Sequence, residues 1–262
     1  MKHEILSAHP TEFFRLIGHD IRWKILVELS HGDLRVQELV EKLNQPQNLI
    51  SYHLQLLNEH GIVRDSRSAA DGREIYYGIE IGKLAQLYRS SGLSLHPALF
   101  EDSLSGNLEV EYSLDKPLRV LFLCTHNSAR SQMAEGILRS LGKGNIQVFS
   151  AGNEPSVVHP LAIRSMQAMG IDISNQTSKS MDQFSQIKFD YVITVCDKAR
   201  EVCPIFPGDP KQIHWSFPDP AEVSGNEEVM LEAFNKTAVQ LKTRIAYLLM
   251  IINRTNKTGA QL

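Results

Sequence analysis

Cys124 and Arg130 are separated by five residues, in the run Cys124-Thr125-His126-Asn127-Ser128-Ala129-Arg130-Ser131. The run lies between LRVLFL, an apolar stretch with the character of a buried strand, and SQMAEGIL, which has that of a helix. A loop at that place in an open α/β sheet aims backbone N–H groups and the positive end of a helix at one point, where a tetrahedral oxyanion can bind. Arg130 adds a planar, permanently charged fork that can grip two oxygens. The same field favours a thiolate, and such surroundings lower a thiol pKa from about 8.5 into the range of roughly 3.5 to 7.5. Cys124 is thus a candidate nucleophile inside its own anion cradle, with Ser131 placed to hydrogen-bond the sulfur and Asn127 to fix the loop's shape. The competing reading is a small buried hydrophobe that ends a strand, the usual fate of a single cysteine. The two differ in whether the sulfur meets Arg130 or an apolar interior.

The chain has only two further cysteines, Cys196 and Cys203. An odd total of three fits no structural disulfide framework and points to reactive thiols or metal in a reducing compartment. Cys196 follows the apolar run YVITV, and the six residues before Cys203 do not match the short pair spacings of zinc modules. No resident metal or cofactor is expected.

At 262 residues, 42% hydrophobic and 22% charged, the chain has the make-up of a globular protein of two domains. No run of about 18 apolar residues could span a bilayer, and the first residues lack the pattern of a secretory signal, so a cytoplasmic location is expected. Net charge is −3, so bulk charge does not advertise a nucleic-acid binder and any DNA contact must rest on a local patch.

In the first half, apolar periodicity and Gly/Pro punctuation predict two short helices over Pro10 to Ser30, the second opening at Asp20. Helices over Arg35–Leu43 and Pro46–His60 follow. Ile62–Arg67 and Glu74–Ile79 flank Asp71-Gly72 as a β-hairpin, and a helix runs from Ile81 to about Ser91. In the second half strands at LRVLFLC, Gln147–Ser150 and Tyr191–Val195 alternate with helices at Ser131–Leu141, Pro160–Met169 and Glu227–Ile252, the pattern of a doubly wound α/β sheet. The expected divisions are a winged helix-turn-helix over 1–92, a linker over 93–116, an α/β domain over 117–256 and a tail over 257–262.

VLFLCTHNSARSQMAEGIL resembles the active-site loop of the low-molecular-weight protein tyrosine phosphatase superfamily, in its arsenate-reductase branch. Trp215-Ser216-Phe217-Pro218-Asp219-Pro220-Ala221 resembles that family's aspartate loop, which makes Asp219 the general acid for the leaving oxygen. Ala221 stands where the phosphatases commonly have Tyr, which favours a small inorganic substrate. His126 and Ala129 depart from the Gly and Cys frequent in the family, and His126 must therefore point out of the loop. Cys196-Asp197-Lys198-Ala199-Arg200-Glu201-Val202-Cys203-Pro204 resembles the redox segment of thioredoxin-coupled arsenate reductases. The resemblance implies arsenate as substrate, phosphate and sulfate as analogues, a disulfide passed from Cys124–Cys196 to Cys196–Cys203, and thioredoxin as external reductant. Disulfide formation supplies the two electrons that arsenate reduction needs. Some relatives bind potassium through positions matching Asn127, Glu135 and Ser150 plus an acid where this chain has Lys179; the ammonium there implies no potassium requirement.

Gln45-Pro46-Gln47-Asn48-Leu49-Ile50-Ser51-Tyr52-His53-Leu54 resembles the recognition helix of arsenical-resistance repressors of the ArsR/SmtB family, and residues 10–90 follow that family's helix order and wing. The resemblance implies a double-stranded DNA operator and a homodimer. Gln47, Asn48, Ser51, Tyr52 and His53 are expected at bases and phosphates, with Arg64, Arg67 and Arg73 on the DNA backbone. Residues 1–123 contain no cysteine, which excludes thiolate capture of arsenite by this half. Histidines and acids near the ends of that half, such as His9 and His96, have the types for a zinc site, but scattered surface histidines are the better explanation. Two other functions fit the same residues: a phosphatase whose extra cysteines protect its nucleophile, and a redox- or arsenic-responsive transcription factor without turnover.

Overall fold

A computed structural model of the protein describes residues 10–68, 70, 72–95, 117–142 and 146–258. The chain divides into two compact units, 1–110 and 111–262. His9, Asp71, His96 and most of the expected linker lie outside the described residues.

The first unit is helical with a small antiparallel sheet. Helices α1 (Pro10–Ile17) and α2 (Asp20–His31) are followed by a two-residue strand β1 (Leu34–Arg35), then α3 (Val36–Leu43) and α4 (Gln47–Glu59). Strands β2 (Val63–Arg67) and β3 (Ile75–Ile79) form the hairpin, and α5 (Ile81–Leu95) is the last described element of the unit. The expected linker is corrected at its start, because residues 93–95 continue α5. Glu38 opens α3 by accepting from the Arg35 backbone N–H at 2.8 Å, and Asn44, left-handed at φ 49°, closes it. Gln45 and Pro46 complete a three-residue turn into α4, the joint of a helix-turn-helix. Ile50, Leu54 and Leu57 of α4 are fully buried with Ile25 of α2 and Leu39 of α3. At about 1.5–3 kcal/mol for each aliphatic side chain, that burial fixes α4 against its neighbours and turns Gln47, Asn48, Ser51 and Tyr52 outward. β1 joins β3, so the sheet has the order β1-β3-β2.

The second unit carries a parallel sheet of β4 (Leu118–Cys124), β5 (Ile146–Gly152), β6 (Tyr191–Thr194) and β7 (Lys211–His214), in the order β5-β4-β6-β7. Helices α6 (Arg130–Leu141), α7 (Pro160–Ala168), α8 (Asp197–Glu201) and α9 (Glu227–Thr258) lie between and after the strands. Val120–Cys124 are all buried because β4 has a strand on each side and layers on both faces. β4 is joined to β5 on one side, and β6 to β7 on the other. With right-handed crossovers the connecting helices fall on opposite faces, which makes the sheet doubly wound and opens a crevice at the carboxyl ends of β4 and β6. Cys124 is the last residue of β4, and Cys196 follows β6 by two positions.

Candidate active site

The loop after β4 is built from outward-turned peptide carbonyls. The Thr125 C=O accepts from Glu154 N at 3.0 Å, that of His126 from Ser156 N at 3.1 Å and Ser178 Oγ at 3.0 Å, and that of Ser128 from His159 N at 2.8 Å. The Asn127 C=O accepts from Gln132 Nε2 at 3.0 Å. In a planar peptide, C=O and N–H point in opposite directions, so each carbonyl held outward leaves the next amide facing the loop's centre. Asn127 makes the reversal possible with φ 45°, and its side chain donates to Ser131 Oγ and Ser150 Oγ, both at 2.8 Å. Its Oδ1 accepts from Lys179 N at 2.8 Å and Gln132 Nε2 at 2.9 Å. Gly152 is required beneath: a Cβ there would lie 2.5 Å from Thr125 O and 2.8 Å from Asn127 N.

Cys124 is buried with its sulfur 2.8 Å from Ser131 Oγ. That hydroxyl, on the first turn of α6, also accepts from Asn127, so its proton is free to be given to the sulfur. Arg130 donates to Phe217 O at 2.8 Å and pairs with the Asp219 carboxylate, tying the nucleophile loop to the Asp219 loop. Asp219 caps a short 3-10 turn, Pro220–Glu222, through Ala221 N at 3.1 Å.

Cys196 is buried at the head of α8, its sulfur 3.4 Å from Thr125 Oγ1 and 3.4 Å from Ala199 N. Burial pushes its thiol up from the ordinary value; the Arg130 guanidinium opposes this, the Cys124 sulfur reinforces it, and the bonds from Thr125 and Ala199 oppose it. Cys203 is half-buried, and burial raises it too. The expected site residues Cys124, Thr125, Arg130, Ser131, Cys196 and Asp219 are thus brought together, whereas Cys203 is separated by the length of α8. His126 is displaced from the loop as expected: its imidazole is half exposed, with Nδ1 3.2 Å from Glu154 O.

Beside the loop, the Glu135 carboxylate receives Ser150 Oγ, Arg139 and Lys179 Nζ, the last at 3.4 Å. Lys179 Nζ also donates to Thr177 O at 2.8 Å, so an ammonium stands beside this carboxylate. Among the described residues no group of three or more His, Cys, Asp or Glu is placed to hold a metal ion, and no helix is long and apolar enough to cross a membrane.

Sequence reasoning missed a buried chain beside Cys196. His214, at the end of β7, sits 2.8 Å from Thr194 Oγ1 through Nδ1 and 3.1 Å from Asp197 Oδ1 through Nε2. All three side chains are buried. β7 and α8 were both unforeseen, and a lone His in KQIH carries no local signal for a partner 17 residues earlier.

On α4, Gln47, Asn48, Ser51 and Tyr52 are exposed, as are Arg67 and Arg73 on the hairpin. Two expected DNA contacts are corrected. His53 is 4% exposed, with its ring against His19 and Nδ1 3.4 Å from Arg22 Nη1, so it packs α4 onto α2. Arg64 pairs with buried Asp33 at 3.0 Å and with Glu80 at 3.2 Å, which commits its charge inside the fold.

A parallel sheet that ends its central strand in a thiol, inside a loop of inward amides closed by an arginine, defines a cysteine-nucleophile domain for tetrahedral oxyanions. The chain belongs to the low molecular weight phosphotyrosine protein phosphatase family, whose profile matches residues 119–258. Residues 19–65 match the bacterial regulatory protein, arsR family. An arsenate reductase of Halalkalibacterium halodurans is 42% identical over 126 residues, 48% of this chain and 91% of that protein. Arsenate reductase 2 of Staphylococcus epidermidis is 44% identical over 126 residues, covering 48% and 96%. A solved arsenate reductase in the oxidized state is 39% identical, with a TM-score of 0.46, covering 51% of this chain and 98% of its own.

Proposed function

We propose that the second half reduces arsenate to arsenite by a three-cysteine relay and that the first half is a DNA-binding regulator of the same response. One observation carries the enzymatic reading: the Cys124 sulfur, held by Ser131 within a loop of inward amides, shares its surroundings with a second buried thiol, Cys196. A phosphatase needs only the first sulfur.

In this reading Cys124 thiolate attacks arsenate lying on the loop amides and Arg130, and Asp219 gives a proton to the oxygen that leaves as water. Arsenic stays pentavalent in the resulting S–As bond. Cys196, after losing its proton, attacks the Cys124 sulfur. An S–S bond forms, the S–As electron pair goes to arsenic, and trivalent arsenite departs. Cys203 then displaces Cys124 from Cys196, and an external dithiol, for which thioredoxin is the proposed protein, reduces the final Cys196–Cys203 disulfide. Burial raises the thiols of Cys196 and Cys203, which favours their protonated forms. Incubation of the purified protein with arsenate, thioredoxin and its reductase is expected to release arsenite over many turnovers; product that stops at one equivalent defeats catalysis. The family's phosphatase chemistry is the second reading, supported by Cys124, Arg130 and Asp219 alone, and hydrolysis of an aryl phosphate by a protein inactive on arsenate would favour it.

For the first half, the exposed Gln47, Asn48, Ser51 and Tyr52 of α4 would enter the major groove of an operator while Arg67 and Arg73 meet phosphates of the flanking backbone, in a homodimer matching two half-sites.

A further inference from the structure

The relay leaves unused a buried polar cluster beside Cys196. Thr194, His214 and Asp197 are hydrogen-bonded in series across the ends of β6 and β7 to the first residue of α8. Asp197 is the residue after Cys196, so whatever holds its carboxylate also holds the sulfur next door. Nothing in the chemistry of Cys124, Arg130 and Asp219 calls for a buried histidine–carboxylate pair at this point. Without a function such a cluster would be replaceable by apolar side chains at little cost to stability.

We infer that the Thr194–His214–Asp197 chain is a clasp that docks α8 on the sheet in the reduced protein and so positions Cys196 beside Cys124. His214 and Asp197 are positioning residues; neither touches the reacting atoms. The geometry fits a neutral imidazole that accepts the Thr194 hydroxyl proton on Nδ1 and donates Nε2–H to the Asp197 carboxylate. β7 supplies the anchor, because Thr194 and His214 are register partners in the parallel sheet. α8 is only five residues long and has little helical stability of its own, so tertiary bonds at its head, the His214–Asp197 bond among them, decide whether it stays docked. Once Cys203 must reach Cys196, the same bond has to open. The clasp therefore favours the first disulfide and has to yield for the second.

The inference rests on the arsenate-reductase reading for its consequence but not for its first readout. In full-length reduced protein, Asp197→Ala is expected to raise the alkylation rate of Cys196 by about tenfold or more, since a hydrogen bond to a charged partner no longer opposes local opening. Asp197→Asn, whose Oδ1 can still accept Nε2–H, should stay within about threefold of the parent. Protection of Cys124 from alkylation by inorganic phosphate should be the same in all three proteins. With arsenate and no reductant, release of the first equivalent of arsenite should slow about tenfold in Asp197→Ala and recover in Asp197→Asn. Cys196 alkylation that is unchanged in Asp197→Ala overturns the clasp, as does loss of phosphate protection in step with faster alkylation, which would mean general damage. If the parent releases no arsenite while Cys196 still becomes reactive in the variant, the clasp stands and the reduction reading falls. Should Asp197→Ala fail to fold, Thr194→Val deletes the outer link without stranding a charge, and the same alkylation comparison decides.

Discussion

In the proposed reaction the individual side chains around Cys124 divide the labour. Ser131 Oγ accepts from Asn127 and keeps its own proton available to a Cys124 thiolate. Ser131→Ala is expected to cut the rate of Cys124 alkylation at neutral pH by roughly 10- to 100-fold, the worth of a hydrogen bond to a charged group at about 1.5–3 kcal/mol. The pH profile of alkylation, compared with that of the parent, is the check. Cys196→Ser should abolish arsenate reduction and leave any hydrolysis of an aryl phosphate within about twofold, measured on one preparation for both substrates. Turnover of arsenate by that variant would remove the relay. The thiol loop and Asp219 loop were legible because their spacing and flanking runs are local. His214 and Asp197 were not, since a buried polar pair between the end of β7 and the head of α8 is defined by segments distant in sequence and leaves no periodic trace in either.

At the level of elements, two packing contacts make testable electrostatic statements. His53 joins α4 to α2, and burial, then His19, then Arg22 hold its imidazole below the ordinary value of 6.5. A base with a lowered folded pKa binds fewer protons in the native state than unfolded. Stability of the first half is therefore complete above about pH 6.5 and falls as pH drops from there toward the folded pKa. Melting of residues 1–95 between pH 7.5 and 5 should show this fall, and His53→Gln should flatten it; a parallel slope in both proteins would exclude His53 as its source. The second contact is Lys179 on Glu135. Turnover is expected to be equal in sodium and potassium buffers, and Lys179→Asp should create a dependence on potassium by putting an acid where relatives carry a ligand. Helix order, hairpin and central strand could all be read from the sequence through periodicity. β1, α8 and β7 could not, being two to five residues long with pairing or a tertiary anchor as their only support. The inward turn of His53 escaped for a related reason: a polar residue on a recognition helix reads as solvent-facing unless its cross-helix partners are known.

Across the whole molecule, the two units have separate apolar cores that share no residue: one around Ile25, Leu39 and Leu54, the other around Phe122, Met133 and Phe234. Every residue assigned to thiol chemistry belongs to the second. Residues 117–262 expressed alone are expected to reduce arsenate at a rate within about threefold of the full chain, while residues 1–95 retain DNA binding, scored by a gel-shift against the native promoter. Loss of all reductase activity on excision would assign part of the site to the first half. The outward-tied carbonyls of the thiol loop also set what the protein can tell apart. Main-chain N–H groups and one guanidinium register charge and tetrahedral shape, which arsenate and phosphate have in common, so in the proposed reading the pocket is expected to admit both pnictogen oxyanions on similar terms. On the proposed relay, selectivity would then arise after admission, at the sulfur: an arsenic adduct would collapse to a trivalent product when a thiol arrives, whereas a phosphoryl group on Cys124 would wait for water.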